Sequence, residues 1–150
     1  TPNKRVVFGG GGVMPDIFVP WDTTLSSNLN KNLIRKGAYN DFILTYLNKN
    51  RKKLHKQYPN FDSFNKNYTL EKEFMDEFFT FAEKKKVERN EKEYKKSKKL
   101  IDTQLKALLA RNLYSISAYF EIINQLNDSY LEALNVIQSD KFEKAKLEYE

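Results

Sequence analysis

The sequence predicts a mainly α fold: a helical, bundle-like domain of about five helices preceded by a short extended or β-hairpin segment. Three observations predict it. Four of the five glycines and three of the four prolines fall within the first twenty residues, and neither type occurs after Pro59. The remaining stretch, free of breakers and rich in Lys, Glu, Leu and Ala, reads as a run of helices. Its apolar residues recur at spacings of three and four, the period of one helix face.

The opening segment, TPNKRVVFGGGGVMPDIFVP, carries two apolar runs (Val6 to Phe8 and Ile17 to Val19) around Gly9, Gly10, Gly11 and Gly12. Pro15 forces Met14 into extended backbone, so the segment reads as a strand connection. A first helix is expected over Leu25 to Lys36, entered from Trp21, Asp22, Thr23 and Thr24, which offer N-cap residues. Gly37 marks either a C-cap or a close helix crossing. A second helix, about Ala38 to Tyr58, places Tyr39, Phe42, Ile43, Tyr46, Leu47 and Leu54 on one face, and Pro59 stops it. Phe61 to Phe64 is a turn or a single helical turn. A third helix from Leu70 to about Lys85, capped by Thr69, aligns Leu70, Phe74, Phe78 and Phe81. Asn90 with Glu93 forms a capping-box pattern for a long fourth helix, Glu91 to about Leu126. Its seam is Leu105, Leu109, Leu113, Ile116, Phe120 and Ile123, with room for a bend between Tyr114 and Ser117. Asp128 or Ser129 caps a fifth helix through Gln138, and Asp140 a final segment from Lys141 to Glu150.

Composition narrows the chemistry. With 40% hydrophobic residues, nine Tyr and eleven Phe, the chain can build a core. It has no Cys and one His, His55, which leaves no basis for zinc, disulfide or thiol chemistry. The third helix scatters Glu71, Glu73, Asp76 and Glu77 without an E-x-x-H pair, so no metal is expected, and no cofactor either. No apolar run approaches the ~18 residues of a membrane span. The start, Thr-Pro-Asn-Lys, is neither an initiator methionine nor a signal peptide, and the chain reads as cut from something longer.

The motifs with catalytic overtones are weak. The glycine run precedes a β-like segment rather than a helix, and Met14 breaks G-x-G-x-x-G, so a phosphate cradle is not expected. Ser63 and Lys66 match S-x-x-K, but with 8 Ser and 21 Lys in 150 residues about one such match arises by chance. His55 lies between charges near a helix end, as an exposed histidine would. The basic residues behind the net charge of +6 are densest over Lys84 to Lys99, where Glu88, Glu91 and Glu93 interleave and i,i+4 pairs such as Glu88–Lys92 and Glu91–Lys95 can form. This reads as a solvated helix, not a nucleic-acid reader. The aromatic residues Phe74, Phe78, Phe81, Tyr119 and Phe120 sit at core spacing.

The opening twenty residues resemble the end of the catalytic core in carboxyl-terminal processing (tail-specific) serine proteases. There a T-P-S-G-R-like strand leads to a Gly-rich turn and a G-[IV]-x-P-D-[IV] element. Thr1, Pro2 and Arg5 match the first part, with Asn3 and Lys4 in place of Ser and Gly. Gly12, Val13, Met14, Pro15, Asp16 and Ile17 match the second, while the run Gly9 to Gly12 is longer than usual. The resemblance implies that residues 1–20 are terminal strands of a protease core and residues 21–150 a C-terminal helical domain. Arg5, Gly9, Gly10, Gly11, Gly12, Pro15 and Asp16 would set backbone shape. The family's Ser nucleophile and Lys base would lie upstream, so no catalytic residue falls on this chain. The expected role is scaffolding, self-association as a homodimer, or guidance of polypeptide substrates beside the upstream protease domain, in a bacterial periplasm or cell envelope. The other reading is a free-standing helical interaction module that binds protein or an anionic surface through Lys84 to Lys99.

Overall fold

The computed structural model describes residues 15, 17–20 and 24–141. These residues form seven α-helices and contain no strand, so the mainly α expectation holds. The expected hairpin falls mostly outside the described residues. Residues 17–20 carry no regular structure, and Phe18 is 78% exposed. The described residues divide into two compact units: 24–126, and a second that contains 15, 17–20 and 127–141.

In the larger unit the helices are α1 (Asn28–Arg35), α2 (Ala38–Gln57), α3 (Phe61–Asn67), α4 (Lys72–Lys84), α5 (Glu91–Leu113) and α6 (Ile116–Ile123), closed by a 3-10 turn at Asn124–Leu126. α5 is the central element, packed against α1, α2, α3 and α6, while α4 lies on α2. The phase expected for α2 is the one observed: Tyr39, Phe42, Ile43, Leu47 and Leu54 are buried. Phe42 gathers Phe74 and Phe78 edge to face at 5.2 Å each, and Tyr39 stacks on Phe78 at 5.4 Å. Such aromatic pairs add to the stability that area burial supplies. A second aromatic group joins α3 to the end of α2, with Phe64 stacked on Tyr68 at 4.6 Å and met edge to face by Tyr58.

The junctions show how side chains set the helix ends. Ser27, not residues 21–24, caps α1, its Oγ accepting from the Asn30 N–H at 3.2 Å. Gly37 takes a left-handed φ of 64° and serves α1 and α2 at once. A Cβ there would meet only Asp41 Oδ2, at 3.8 Å, so backbone conformation rather than space favours glycine. α3 is a helix of seven residues, longer than the turn or single helical turn expected over Phe61 to Phe64, and the Asn60 carboxamide caps it through the Ser63 N–H at 2.9 Å. α4 starts two residues later than expected, behind Glu71 instead of Thr69. Leu70 packs on the core from the α3–α4 connection and is not part of the helix.

α4 ends in a Schellman motif. The Val87 N–H reaches the Ala82 carbonyl at 3.0 Å and the Lys86 N–H that of Glu83 at 2.8 Å. Lys86 adopts the left-handed conformation usually left to glycine, at φ 60°, and Val87 is buried beyond it.

The long fourth helix of the sequence reading is two helices. Tyr114 leaves helical backbone, and its hydroxyl donates to the Tyr58 carbonyl at 2.7 Å, at the C-terminus of α2. Ser115 then caps α6 through the Ala118 N–H. The break resets the helical phase. Leu105, Leu109 and Leu113 are buried as expected, but Ile116 and Phe120 are 56% and 51% exposed, and Ala118 and Ile122 take the buried positions.

In the smaller unit α7 (Asp128–Gln138) has the expected extent, but Asn127 is its cap, accepting from the Tyr130 N–H at 3.1 Å. Lys141 and Asn135 both donate to the Glu132 carboxylate, which holds its pKa below the usual value. The proposed final segment past Lys141 lies outside the described residues.

Candidate functional site

Of the residues singled out by the resemblance, Arg5, Gly9, Gly10, Gly11, Gly12 and Asp16 lie outside the described residues. Pro15 is described, and is exposed in non-regular backbone. The S-x-x-K match falls on α3. Ser63 sits in its first turn, with its N–H given to Asn60, and Lys66 points into solvent. His55 is half-buried, with its ring edge to face against Tyr114 at 5.8 Å. Among the described residues no group of three or more His, Cys, Asp or Glu is arranged to hold a metal ion. Nor is any helix there long and apolar enough to cross a membrane.

The Lys84–Lys99 stretch is divided by the fold, and three of its nine cations, Lys85, Arg89 and Lys98, form ion pairs among the described residues. Lys85 pairs with Asp41 at 2.5 Å and extends over the Phe81 ring. Arg89 lies between Asp76 at 3.0 Å and Glu91 at 2.5 Å, stacked over Phe79. Lys98 pairs with Asp102, and this hydrogen bond raises the lysine pKa. Glu88 precedes α5, so the anticipated helical pair with Lys92 has no helix to form on. Glu93 turns away from solvent, and its Oε2 accepts from the Leu29 N–H at 2.8 Å.

One lysine of α5 is partly enclosed. Lys106 donates to the Asn65 carbonyl at 2.8 Å, and burial lowers its pKa. It lines a cleft of about 240 Å³ with Asp102, Thr103 and Thr69. The bond to the Asn65 carbonyl ties α3 to α5.

A more uniform basic surface lies on α2. Between Asp41 and Asp62 the chain has no acidic residue, and five cations fall there: Lys49, Arg51, Lys52, Lys53 and Lys56. Lys49, Lys52, Lys53 and Lys56 are spaced i, i+3, i+4, i+7 and share one helix face. All four are exposed, and none belongs to an ion pair among the described residues. Arg51 is fixed beside them by a 2.6 Å hydrogen bond to the Asn112 carbonyl. The core-facing residues Leu47 and Leu54 hold this face outward. The sequence reading passed over this ridge because it weighed the number of cations, which favours Lys84–Lys99. The signal that finds it is the twenty-residue interval without an acid.

A family model matches residues 29–115. The family is DUF8443, described as a family of unknown function, and the chain belongs to it. Neither a curated protein nor a solved structure matches the chain.

Proposed function

We propose that this member of DUF8443 is a non-catalytic helical interaction domain that guides polypeptide segments, with the cationic ridge of α2 as its working face. The observation that carries the reading is the ridge itself: four exposed lysines on one face, none in an ion pair among the described residues. Unpaired like charges repel one another and lower the stability of the fold unless an anionic partner meets them. An acidic polypeptide segment, or a partner surface rich in Asp and Glu, supplies that complement. The ridge is preferred to Lys84–Lys99 as the anionic-partner surface, since Glu88, Glu91 and Glu93 interleave with the cations there, whereas residues 42–61 contain no acid.

The resemblance of residues 1–20 to the end of a tail-specific protease core supports a setting for this role. In that setting the domain is the C-terminal extension of a serine-type C-terminal processing peptidase, beside its own upstream protease domain in a bacterial periplasm or cell envelope. The catalytic dyad belongs to the upstream part, and the helical domain presents or holds substrate.

The test is fluorescence anisotropy of a labelled octaglutamate peptide titrated with the chain in low and moderate salt. We expect saturable binding that weakens as salt rises, because exposed charges are screened over about 10 Å at 0.1 M. Lys49→Glu with Lys52→Glu should abolish it, while Lys95→Glu with Lys96→Glu on α5 should leave most of it. Equal losses from the two pairs would show a response to net charge alone and overturn the assignment to α2.

A further inference from the structure

A second feature of α2, on the side facing α4, is a cavity of about 260 Å³. Four aromatic residues wall it: Tyr46 on α2, Tyr58 at its C-cap, Tyr68 at the C-cap of α3, and Phe74 on α4. Tyr46 and Phe74 meet edge to face at 4.8 Å, and Tyr58 and Tyr68 do so at 5.6 Å. Glu71, the exposed residue ahead of α4, completes the wall. Neither the Tyr46 nor the Tyr68 hydroxyl has a hydrogen-bond partner within the described residues, although Tyr68 is buried.

The electrostatics of this group are one-sided. Burial raises the pKa of Tyr68, and the neighbouring Tyr46, Tyr58 and Glu71 raise it further. Tyr46 is raised by burial and then by Glu77 and Glu71. The phenol oxygens and the carboxylate therefore lie within range of one another, and each disfavours a further negative charge. Neutral phenols, ring faces and a carboxylate around one space favour a cation. A metal ion demands several oxygen ligands in place of its water, and no metal-ligating group of three is present among the described residues. An organic ammonium is larger, holds water loosely and suits aromatic walls. The volume is below the ~300–1,000 Å³ of drug-sized sites, so only a small head group fits.

We infer that the cavity walled by Tyr46, Tyr58, Tyr68, Phe74 and Glu71 binds a small organic ammonium group. Lys53 also lines the cavity, where it can meet an anionic arm on the same ligand. Its ammonium is not among the charges acting on the phenols. The site shares Lys53 with the ridge, but Lys49 and Lys52, whose substitution tests the ridge, do not line it.

The experiment is calorimetric titration of the full chain with choline and with its uncharged isostere 3,3-dimethylbutan-1-ol. We expect saturable choline binding and affinity for the isostere weaker by about ten-fold or more, since only the charge differs. Glu71 makes no capping hydrogen bond, so Glu71→Gln should leave the melting temperature unchanged while weakening choline binding about three-fold or more. Lys53→Met should leave choline binding intact or strengthen it. Equal affinity for choline and its isostere would show an apolar cleft without cation recognition. Absence of saturation, or a Glu71→Gln chain that binds as well as the parent, would also overturn the inference.

Discussion

Glu93 belongs to α5, yet its carboxylate caps α1. The Leu29 N–H, in the first turn of α1, donates to Glu93 Oε2 at 2.8 Å across 64 residues of sequence. Ser27 takes the next orphan donor, the Asn30 N–H. A negative charge at a helix N-terminus also meets the positive end of the helix dipole. The capping-box pattern of Asn90 and Glu93 is thus half fulfilled: Asn90 Oδ1 accepts from the Glu93 N–H at 3.0 Å, while the glutamate side chain serves another helix. Glu93→Ala leaves the Leu29 donor unpaired in a partly buried place, and we expect a loss of about 1–3 kcal/mol. Glu93→Gln keeps an acceptor and loses only the charge, so its cost should be about 0.3–1 kcal/mol. Urea denaturation of the two variants checks the order. Equal costs would show that charge alone matters, and no cost for either would show that water replaces the bond.

Helix α6 shows what a one-residue interruption does to a helical pattern. Had the helix continued past Leu113, Ile116 and Phe120 would have stayed on the Leu105–Leu109 seam. Tyr114 instead turns to bond the end of α2, and the phase shifts so that Ala118 and Ile122 face inward. We therefore expect Leu109→Ala to cost about 2–5 kcal/mol, as large-to-small core changes do. Phe120→Ala should cost less than about 1 kcal/mol, since half of its surface is already in water. Thermal melts separate the two outcomes, and a Phe120→Ala loss equal to that of Leu109→Ala would restore the uninterrupted seam. The α2 and α5 faces were legible because local spacing encodes them, whereas the helix count was not: about five were expected, and α3 and the α5–α6 division bring the described residues to seven. The break was only half legible: Ser115 is a good cap, but the Tyr114–Tyr58 bond that makes capping necessary is a tertiary contact. The Glu93–Leu29 bond and the Tyr46, Tyr58, Tyr68 and Phe74 walls were hidden for the same reason, since their members come from separate elements. The lysine ridge, in contrast, was written in one contiguous stretch and needed only attention to sign.

On the scale of the molecule, the connected hydrophobic cluster runs from Leu29 to Ile122, all within the unit of residues 24–126. The family match, 29–115, falls inside the same unit and ends at the Ser115 cap that separates α5 from α6. A unit of about one hundred residues with its own core is of the size that folds alone. We expect residues 23–126, made without the flanking segments, to unfold in one cooperative transition. Its melting temperature should lie within a few degrees of that of the full chain. The segments left out carry the second expectation. If residues 1–20 are strands severed from a protease sheet, their unpaired backbone groups seek a partner strand, and two chains can supply one to each other. Pro15 and Pro20 limit the length of such a ladder, because each removes a donor. Light scattering should then give a dimer mass for the full chain and a monomer mass for residues 23–126, with the same cooperative melt in both. A monomer in both cases removes the self-association role and leaves guidance of polypeptides through α2. A dimer in both would place the contact on the helical unit itself. A fragment that melts without cooperativity would mean that the cluster from Leu29 to Ile122 is insufficient, and that the flanks complete the fold.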